Sequence, residues 1–225
     1  MPVRPRWRVT PREAAAIQRR LASRVVLRPP AGRRVRLVAG LDAAYAGGRV
    51  LAAAVLLRLP GLAEVERALV SLPASFPYVP GLLSFREAPA LLRALRRLRS
   101  RPDLLLLDGH GVAHPRRFGI ACHVGLLAGI PSVGVAKSLL VGEHDAPARA
   151  AGSRAPLRHR GESVGAALRT RDGGRPVLVS PGHLCDLRAA VRWTLRCVRG
   201  HRLPEPTFLA DRAVGEAARA VRARG

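Results

Sequence analysis

Four consecutive leucines, residues 104–107, end at Asp108 and constrain the fold more than any other stretch of the sequence. A short apolar run without alternation is typical of a strand that is buried on both faces. Residues 118–128 have the pattern of a helix, and residues 132–136 form a second short apolar run. Strand, helix and strand in this order predict a right-handed parallel crossover.

The preceding part of the chain predicts an antiparallel meander. Residues 35–45 and 50–59 read as two strands joined by a Gly47-Gly48 turn, and residues 64–72 as a third strand. Combined with the crossover, these strands predict an α/β fold, a mixed β-sheet with helices on both faces.

The remaining elements follow from caps and turn residues. Thr10, Pro11 and Glu13 predict a capping box for a peripheral helix that runs to about residue 26. Residues 73–83 and 143–160 are predicted loops, residues 164–171 and 176–180 a hairpin, and residues 84–99, 184–198 and 209–222 helices. We expect a single domain over residues 1–225, because no long polar linker divides the chain.

Several classes of protein are excluded by composition. No apolar stretch reaches the roughly 18 residues that span a bilayer, and the N-terminus has no apolar signal-peptide core. Three cysteines without C-x-x-C spacing predict neither a disulfide framework nor a zinc knuckle. We therefore expect a cytoplasmic protein that does not associate with membranes.

The net charge of +24 predicts a field that attracts polyanions, of which nucleic acid is the usual one in a cytoplasm. G+C-rich coding is the alternative source of the many arginines. Against that bias Lys137 stands out, because it is the only lysine among 39 basic residues. A compact ammonium group at a predicted strand end indicates a site that requires a point charge.

Three carboxylates are candidates for a metal site. Asp42 and Asp108 lie in or directly after apolar strands, where a carboxylate needs a compensating partner. Glu87 is the third candidate, and each of the three has a simpler interpretation. Asp42 would be the partner of an arginine, Asp108 a turn residue, and Glu87 the last residue of a capping box that begins at Ser84. Taken together, they suit Mg²⁺ or Mn²⁺ rather than zinc.

Two loops are candidates for contact with nucleic acid. Glycines between Asp108 and Gly111 allow close approach of the backbone to a ligand, and Arg116 and Arg117 follow as candidate phosphate contacts. Tyr78 lies between prolines, which favours either a stiffly mounted wedge for a base stack or a buried turn residue.

Five blocks of sequence together resemble the endonuclease V family, the deoxyinosine nucleases. The blocks are Gly40-Leu41-Asp42-Ala43-Ala44-Tyr45, Pro77-Tyr78-Val79-Pro80-Gly81-Leu82-Leu83-Ser84-Phe85-Arg86-Glu87, Asp108-Gly109-His110-Gly111 with His114-Pro115-Arg116-Arg117, Gly134-Val135-Ala136-Lys137, and Gly182-His183. They lie between residues 40 and 183, in the family's order. The resemblance implies an RNase H-like fold.

It also implies roles for these residues. Asp42, Glu87 and Asp108 would bind Mg²⁺, for which Mn²⁺ can substitute, while Lys137 and His183 would complete the catalytic centre. Tyr78 would be the tip of a wedge that fills the gap left by a flipped base. The wedge and base pocket would comprise Pro77, Tyr78, Val79, Pro80, Gly81, Leu82, Leu83, Gly109, Gly111, His114 and Ile120.

The implied activity is hydrolysis of the second phosphodiester bond 3′ to a deaminated base, chiefly deoxyinosine, which leaves 3′-hydroxyl and 5′-phosphate ends. The expected partner is DNA containing deaminated bases, and the enzyme is expected to act as a monomer. Two alternatives remain open: a ribonuclease for inosine-containing RNA, and a noncatalytic nucleic-acid-binding module favoured by the charge alone.

Overall fold

Eight strands form one mixed sheet in the computed structural model, which describes residues 5–32 and 34–223. The strands are β1 (Leu37–Ala46), β2 (Arg49–Arg58), β3 (Ala63–Pro73), β4 (Leu104–Asp108), β5 (Ser132–Ala136), β6 (Arg154–His159), β7 (Glu162–Leu168) and β8 (Val177–Pro181), in the order β3-β2-β1-β4-β5-β8-β7-β6. The expectation about an export signal rests partly on residues 1–4, which lie outside the described residues.

The leucine run forms the centre of this sheet. β4 pairs in parallel with β1 on one side and with β5 on the other, while β1, β2 and β3 form the predicted antiparallel meander. Leu41 of β1 is in register with Leu107 of β4. Asp42 and Asp108 are the next residue on each strand, so the topology brings the two carboxylates side by side.

Helices cover both faces of the sheet, as predicted. They are α1 (Pro11–Ala22), α2 (Leu83–Arg97), α3 (Ile120–Ala128), α4 (Leu187–Arg196) and α5 (Glu205–Arg222). Leu104 and Leu106 pack with α4 and α5, whereas Leu105 and Leu107 pack with α2 and α3. The run does not alternate in polarity because both faces of β4 are buried.

Some predicted boundaries were wrong. The capping box of α1 is present, but the helix ends at Ala22, and α5 begins four residues earlier than predicted. The predicted loop 143–160 contains β6, the edge strand, in which Ala155 and Leu157 are buried and the intervening residues are exposed. Its arginines and its proline obscured this alternation in the sequence.

A close contact between β1 and α5 positions the C-terminal helix. A Cβ atom at Gly40 would lie 1.9 Å from the carbonyl oxygen of Pro206, so only glycine allows α5 to approach this closely. Thr207 is fully buried at this contact, and Asp211 follows one helical turn later. Asp42 lies two residues beyond Gly40, on the same face of β1.

No helix in residues 5–32 and 34–223 is long and apolar enough to cross a membrane.

Candidate active site

Three aspartates form a compact group: one lies in the middle of β1, one ends β4 and one is on α5. Single carboxylate oxygens of Asp42, Asp108 and Asp211 all lie within 4.8 Å of one another. All three are partly buried. Sequence reasoning expected the first two together but missed Asp211, which reaches the group through the close packing of α5 on Gly40.

Lys137, at the end of β5, neutralises part of this charge. Its Nζ lies 2.6 Å from Asp108 Oδ2 and also bonds Asp211 Oδ1. Burial opposes the charge of the ammonium group, but these hydrogen bonds and charges outweigh it and raise the pKa of Lys137. Among the described residues, Lys137 is the one cation bonded to these three carboxylates, and Arg202 adds a further positive charge near Asp108, so negative charge remains in excess.

The pKa values of Asp42 and Asp108 reflect their burial and, after it, this excess of charge. Burial and the neighbouring charge of Asp108 raise the pKa of Asp42 to about 8, and Lys137 only partly opposes them. Burial likewise raises the pKa of Asp108 against the opposing effect of Lys137. A divalent cation bound to these oxygens would offset both effects by stabilising the ionised carboxylates, so the donor set fits a hard oxygen-preferring ion.

Glu87 borders the same cavity but is not part of the compact group. Its Oε1 accepts a hydrogen bond from the hydroxyl of Tyr45 at 2.6 Å. Burial raises the pKa of Glu87 to about 7, an effect that this bond opposes. The bond fixes the side chain one turn inside α2 and leaves Oε2 as the oxygen available to a ligand.

The capping box predicted for Ser84 and Glu87 was wrong. The N-cap of α2 is Leu82, and no side chain caps it. Ser84 is buried, and its Oγ lies 3.0 Å from Nδ1 of His123. His123, which packs against Trp7, Phe85 and Phe118, is the partner of this hydroxyl, and Glu87 bonds Tyr45 instead of the helix start.

A cavity of about 440 Å³ adjoins the carboxylates, a size typical of small-molecule pockets. Most of the predicted base-pocket residues line it, namely Tyr78, Val79, Pro80, Gly81, Leu83, Gly109, His114 and Ile120. Sequence reasoning missed Gln18, His110, Leu139 and Leu140, which also line it. Leu139 and Leu140 are exposed at its mouth and offer an apolar contact surface.

Three residues predicted for the pocket are not among those that line it. Pro77 is exposed, and Leu82 is buried with Phe76 and Phe85 in a small core beneath the loop of residues 76–82. Gly111 packs against β8, where a Cβ atom would lie 1.9 Å from the carbonyl oxygen of Pro181. Leu82 and Gly111 therefore pack behind the cavity walls, whereas Pro77 faces solvent.

Tyr78 projects from the tip loop (residues 76–82), where it is 71% exposed. The interpretation of Tyr78 as a buried turn residue was therefore wrong. Arg86 holds the start of the loop through a 2.5 Å hydrogen bond to the carbonyl of Phe76. Gly81 ends the loop with a φ of +76°, a conformation that favours glycine.

Arg116 and Arg117 are bonded within the protein. Arg116 donates from Nη2 to the carbonyl of Gly81 at 2.6 Å and from Nε to Gln18. Arg117 bonds Glu162 at 2.7 Å and the carbonyl of His159 at 3.0 Å. The structure thus assigns internal partners to both residues predicted to contact phosphates.

His183 is not among the residues that line the cavity. Its ring Nδ1 accepts a hydrogen bond from the backbone N–H of Val26 at 3.3 Å. The backbone N–H of His183 donates to Ser132 Oγ at 2.8 Å. Burial lowers the pKa of His183. The structure therefore places this residue beside β5 and the segment after α1, not with the carboxylates.

Solved structures with the same fold identify its class. The endonuclease V of Streptomyces avermitilis superposes with a TM-score of 0.90 at 44% identity, covering 96% of each chain. An endonuclease V of Ciona intestinalis, in complex with DNA containing an inosine followed by a ribo-adenosine, superposes with a TM-score of 0.81 at 25% identity, covering 93% of this chain and 98% of that one. The fold is RNase H-like, and with the carboxylates on β1, β4 and α5 it defines a nuclease of this class.

A sequence model of the endonuclease V family matches residues 19–212. The endonuclease V of Myxococcus xanthus is 52% identical over 217 residues, which cover 96% of this chain and 92% of that protein. This chain belongs to the endonuclease V family.

Proposed function

We propose that this protein is a Mg²⁺-dependent DNA repair endonuclease that recognises deaminated bases, chiefly deoxyinosine, and hydrolyses the second phosphodiester bond 3′ to the lesion. The products are a 3′-hydroxyl and a 5′-phosphate. The single observation that supports this function most is the juxtaposition of the aspartate group with a cavity beneath an exposed tyrosine.

Asp42, Asp108 and Asp211 would hold the metal ion, with Glu87 as a further oxygen donor from the neighbouring wall. Bound there, Mg²⁺ or Mn²⁺ supplies Lewis-acid activation of water and neutralises charge on the phosphate. Lys137, bonded to Asp108 and Asp211, orients both carboxylates and presents a positive charge to a phosphate oxygen.

The cavity would receive the flipped base while Tyr78 fills the gap in the stack. Burial lowers the pKa of His114 to about 4, so its ring is neutral at pH 7. Backbone groups of the glycines at 81 and 109 line the wall, which suits a chain that has no asparagine and only one glutamine to read base edges.

A cleavage assay tests the proposal. A labelled duplex with one deoxyinosine, incubated with Mg²⁺, should be nicked at the second bond 3′ to that base, while a matched duplex with deoxyguanosine should remain intact. Because Asp211 completes the aspartate group, Asp211→Asn should reduce the cleavage rate at least about a hundredfold. Asp145→Asn removes an exposed carboxylate outside the cavity and should have no effect.

Equal cutting of both duplexes would contradict the lesion specificity, and full activity of Asp211→Asn would contradict the metal site. No cleavage with Mg²⁺ or Mn²⁺, together with retained binding, would instead support a noncatalytic binding module.

A second candidate function is cleavage of inosine-containing RNA. It is favoured by the relative from Ciona intestinalis, whose bound strand carries a ribo-adenosine directly after the inosine. Parallel assays on strands that differ only in the sugar after the inosine distinguish the two. We propose further that the protein acts as a single-domain monomer in the cytoplasm.

A further inference from the structure

Gln18 is a fully buried amide on α1, and every polar atom of its side chain is bonded. Its Nε2 donates to the carbonyl oxygens of Gly81 at 3.1 Å and Phe118 at 3.2 Å. Its Oε1 accepts from Nε of Arg116 at 2.5 Å. One side chain therefore links α1, the end of the tip loop and the segment before α3.

The carbonyl oxygen of Gly81 is the common acceptor of this cluster. Besides Gln18, it accepts from Arg116 Nη2 at 2.6 Å and lies 2.9 Å from His114 Nε2. The Nδ1 of His114 accepts a hydrogen bond from the backbone N–H of Arg116. Because the ring is neutral, its proton is then on Nε2, which donates to the Gly81 carbonyl as well. Three donors fix the direction of this one carbonyl group.

This arrangement determines the shape of one cavity wall. Gln18, Gly81 and His114 all line the cavity. A Cβ atom at Gly81 would lie 2.8 Å from Arg116 Nη2, so the guanidinium group packs tightly against the loop. Without the Gln18 amide, Arg116 would lose the partner that directs it towards Gly81, and the wall would lose two of its connections to the core.

We propose that Gln18 is a positioning residue that sets the selectivity for the deaminated base by holding the Gly81 carbonyl and the Arg116 guanidinium in place. The inference rests on the proposed function, because it concerns the pocket that would read the base. Gln18 has no contact with the aspartate group, so it acts on recognition rather than on bond cleavage.

The test compares binding with turnover in Gln18→Leu, which keeps the bulk of the side chain and removes its hydrogen bonds. Dissociation constants for the deoxyinosine duplex and the matched deoxyguanosine duplex are measured by fluorescence anisotropy with Ca²⁺ in place of Mg²⁺. We expect the ratio of the two constants to fall about tenfold, the worth of one misaligned hydrogen bond to the base. The kcat for the deoxyinosine duplex in Mg²⁺ should change less than about threefold.

Thr194→Val is the matched control, because Thr194 is also fully buried and its hydroxyl bonds a backbone carbonyl inside α4. It should lower thermal stability without changing the binding ratio. If Gln18→Leu does not fold, Gln18→Glu replaces it. That variant keeps an acceptor for Arg116 and loses both donors to the carbonyls, so the ratio should fall in the same direction.

A ratio that stays within about twofold of the parent in the folded Gln18 variant would overturn the inference, as would an equal weakening of binding to both duplexes. Failure of the proposed function gives a different result. In that case the parent protein itself would not discriminate between the two duplexes.

Discussion

At the scale of single residues, the carboxyl group of Asp42 makes the stability of the protein depend on pH. In the folded protein it keeps its proton up to a pH of about 8, because its pKa is raised from 3.8 by burial and by Asp108. The folded state therefore binds more protons than the unfolded chain between these values. This group consequently lowers the free energy of unfolding as the pH rises through that window.

We therefore predict that Asp42→Asn stabilises the metal-free protein at pH 8. The neutral amide removes the like-charge repulsion, and the free energy of unfolding should increase by about 2 kcal/mol. Near pH 4 parent and variant should be equally stable. Thermal unfolding in EDTA across this range measures the difference, and Mg²⁺ at pH 8 should stabilise the parent but not the variant. A variant less stable than the parent at pH 8 would contradict the assigned burial.

Single residues also show where sequence reasoning stopped. Asp42 and Asp108 could be singled out because each lies in or directly after an apolar run, but only the family resemblance grouped them, since the parallel pairing of β1 with β4 was not predicted. Glu87 had the spacing of a helix cap, and only the structure shows that Ser84 is turned towards His123 instead. Asp211 gave no local signal, because its role depends on a contact that its helix makes with β1.

At the scale of elements, the packing of α5 on β1 decides whether the aspartate group forms. We predict that Gly40→Ala lowers the free energy of unfolding by about 3 kcal/mol, because the added Cβ would overlap the backbone at Pro206. Any folded protein should also lose stabilisation by Mg²⁺, since α5 carries Asp211. Chemical denaturation with and without Mg²⁺ measures both effects.

Gly61→Ala is the matched control for this change, because nothing lies within 4 Å of a Cβ atom at Gly61. It should leave stability and Mg²⁺ binding unchanged. Equal behaviour of the two variants would mean that α5 can move without disturbing the carboxylates.

Elements with a clear pattern of apolar residues were predictable, and elements in which other residues obscured that pattern were not. The leucine run predicted a strand covered on both faces, and its residues do pack alternately on two helix layers. β6 was missed because arginines and a proline occupy the outward positions of an edge strand, as is common where an edge must not pair with another chain. The predicted peripheral helix α1 instead supports the tip loop through Gln18 and a small apolar core.

At the scale of the whole molecule, the net charge of +24 should dominate binding to undamaged DNA. We predict that affinity for a lesion-free duplex falls at least about tenfold between 50 and 200 mM salt, because each phosphate contact releases condensed counterions. Contacts inside the cavity depend less on salt, so the preference for deoxyinosine should rise over the same range. Anisotropy titrations of both duplexes at several salt concentrations measure this, and a constant preference would contradict it.

The contact between Gly40 and α5 also matters while the chain is being made. Asp42 and Asp108 leave the ribosome long before Asp211, which follows Asp42 by 169 positions (211 minus 42). Most of the arginines also precede Asp211, so a nascent chain can already be drawn to the nucleic acid around it. Its aspartate group, however, stays incomplete until α5 docks. Synthesis in this order would delay cleavage of nucleic acid until the folded protein that selects the cleavage site has formed.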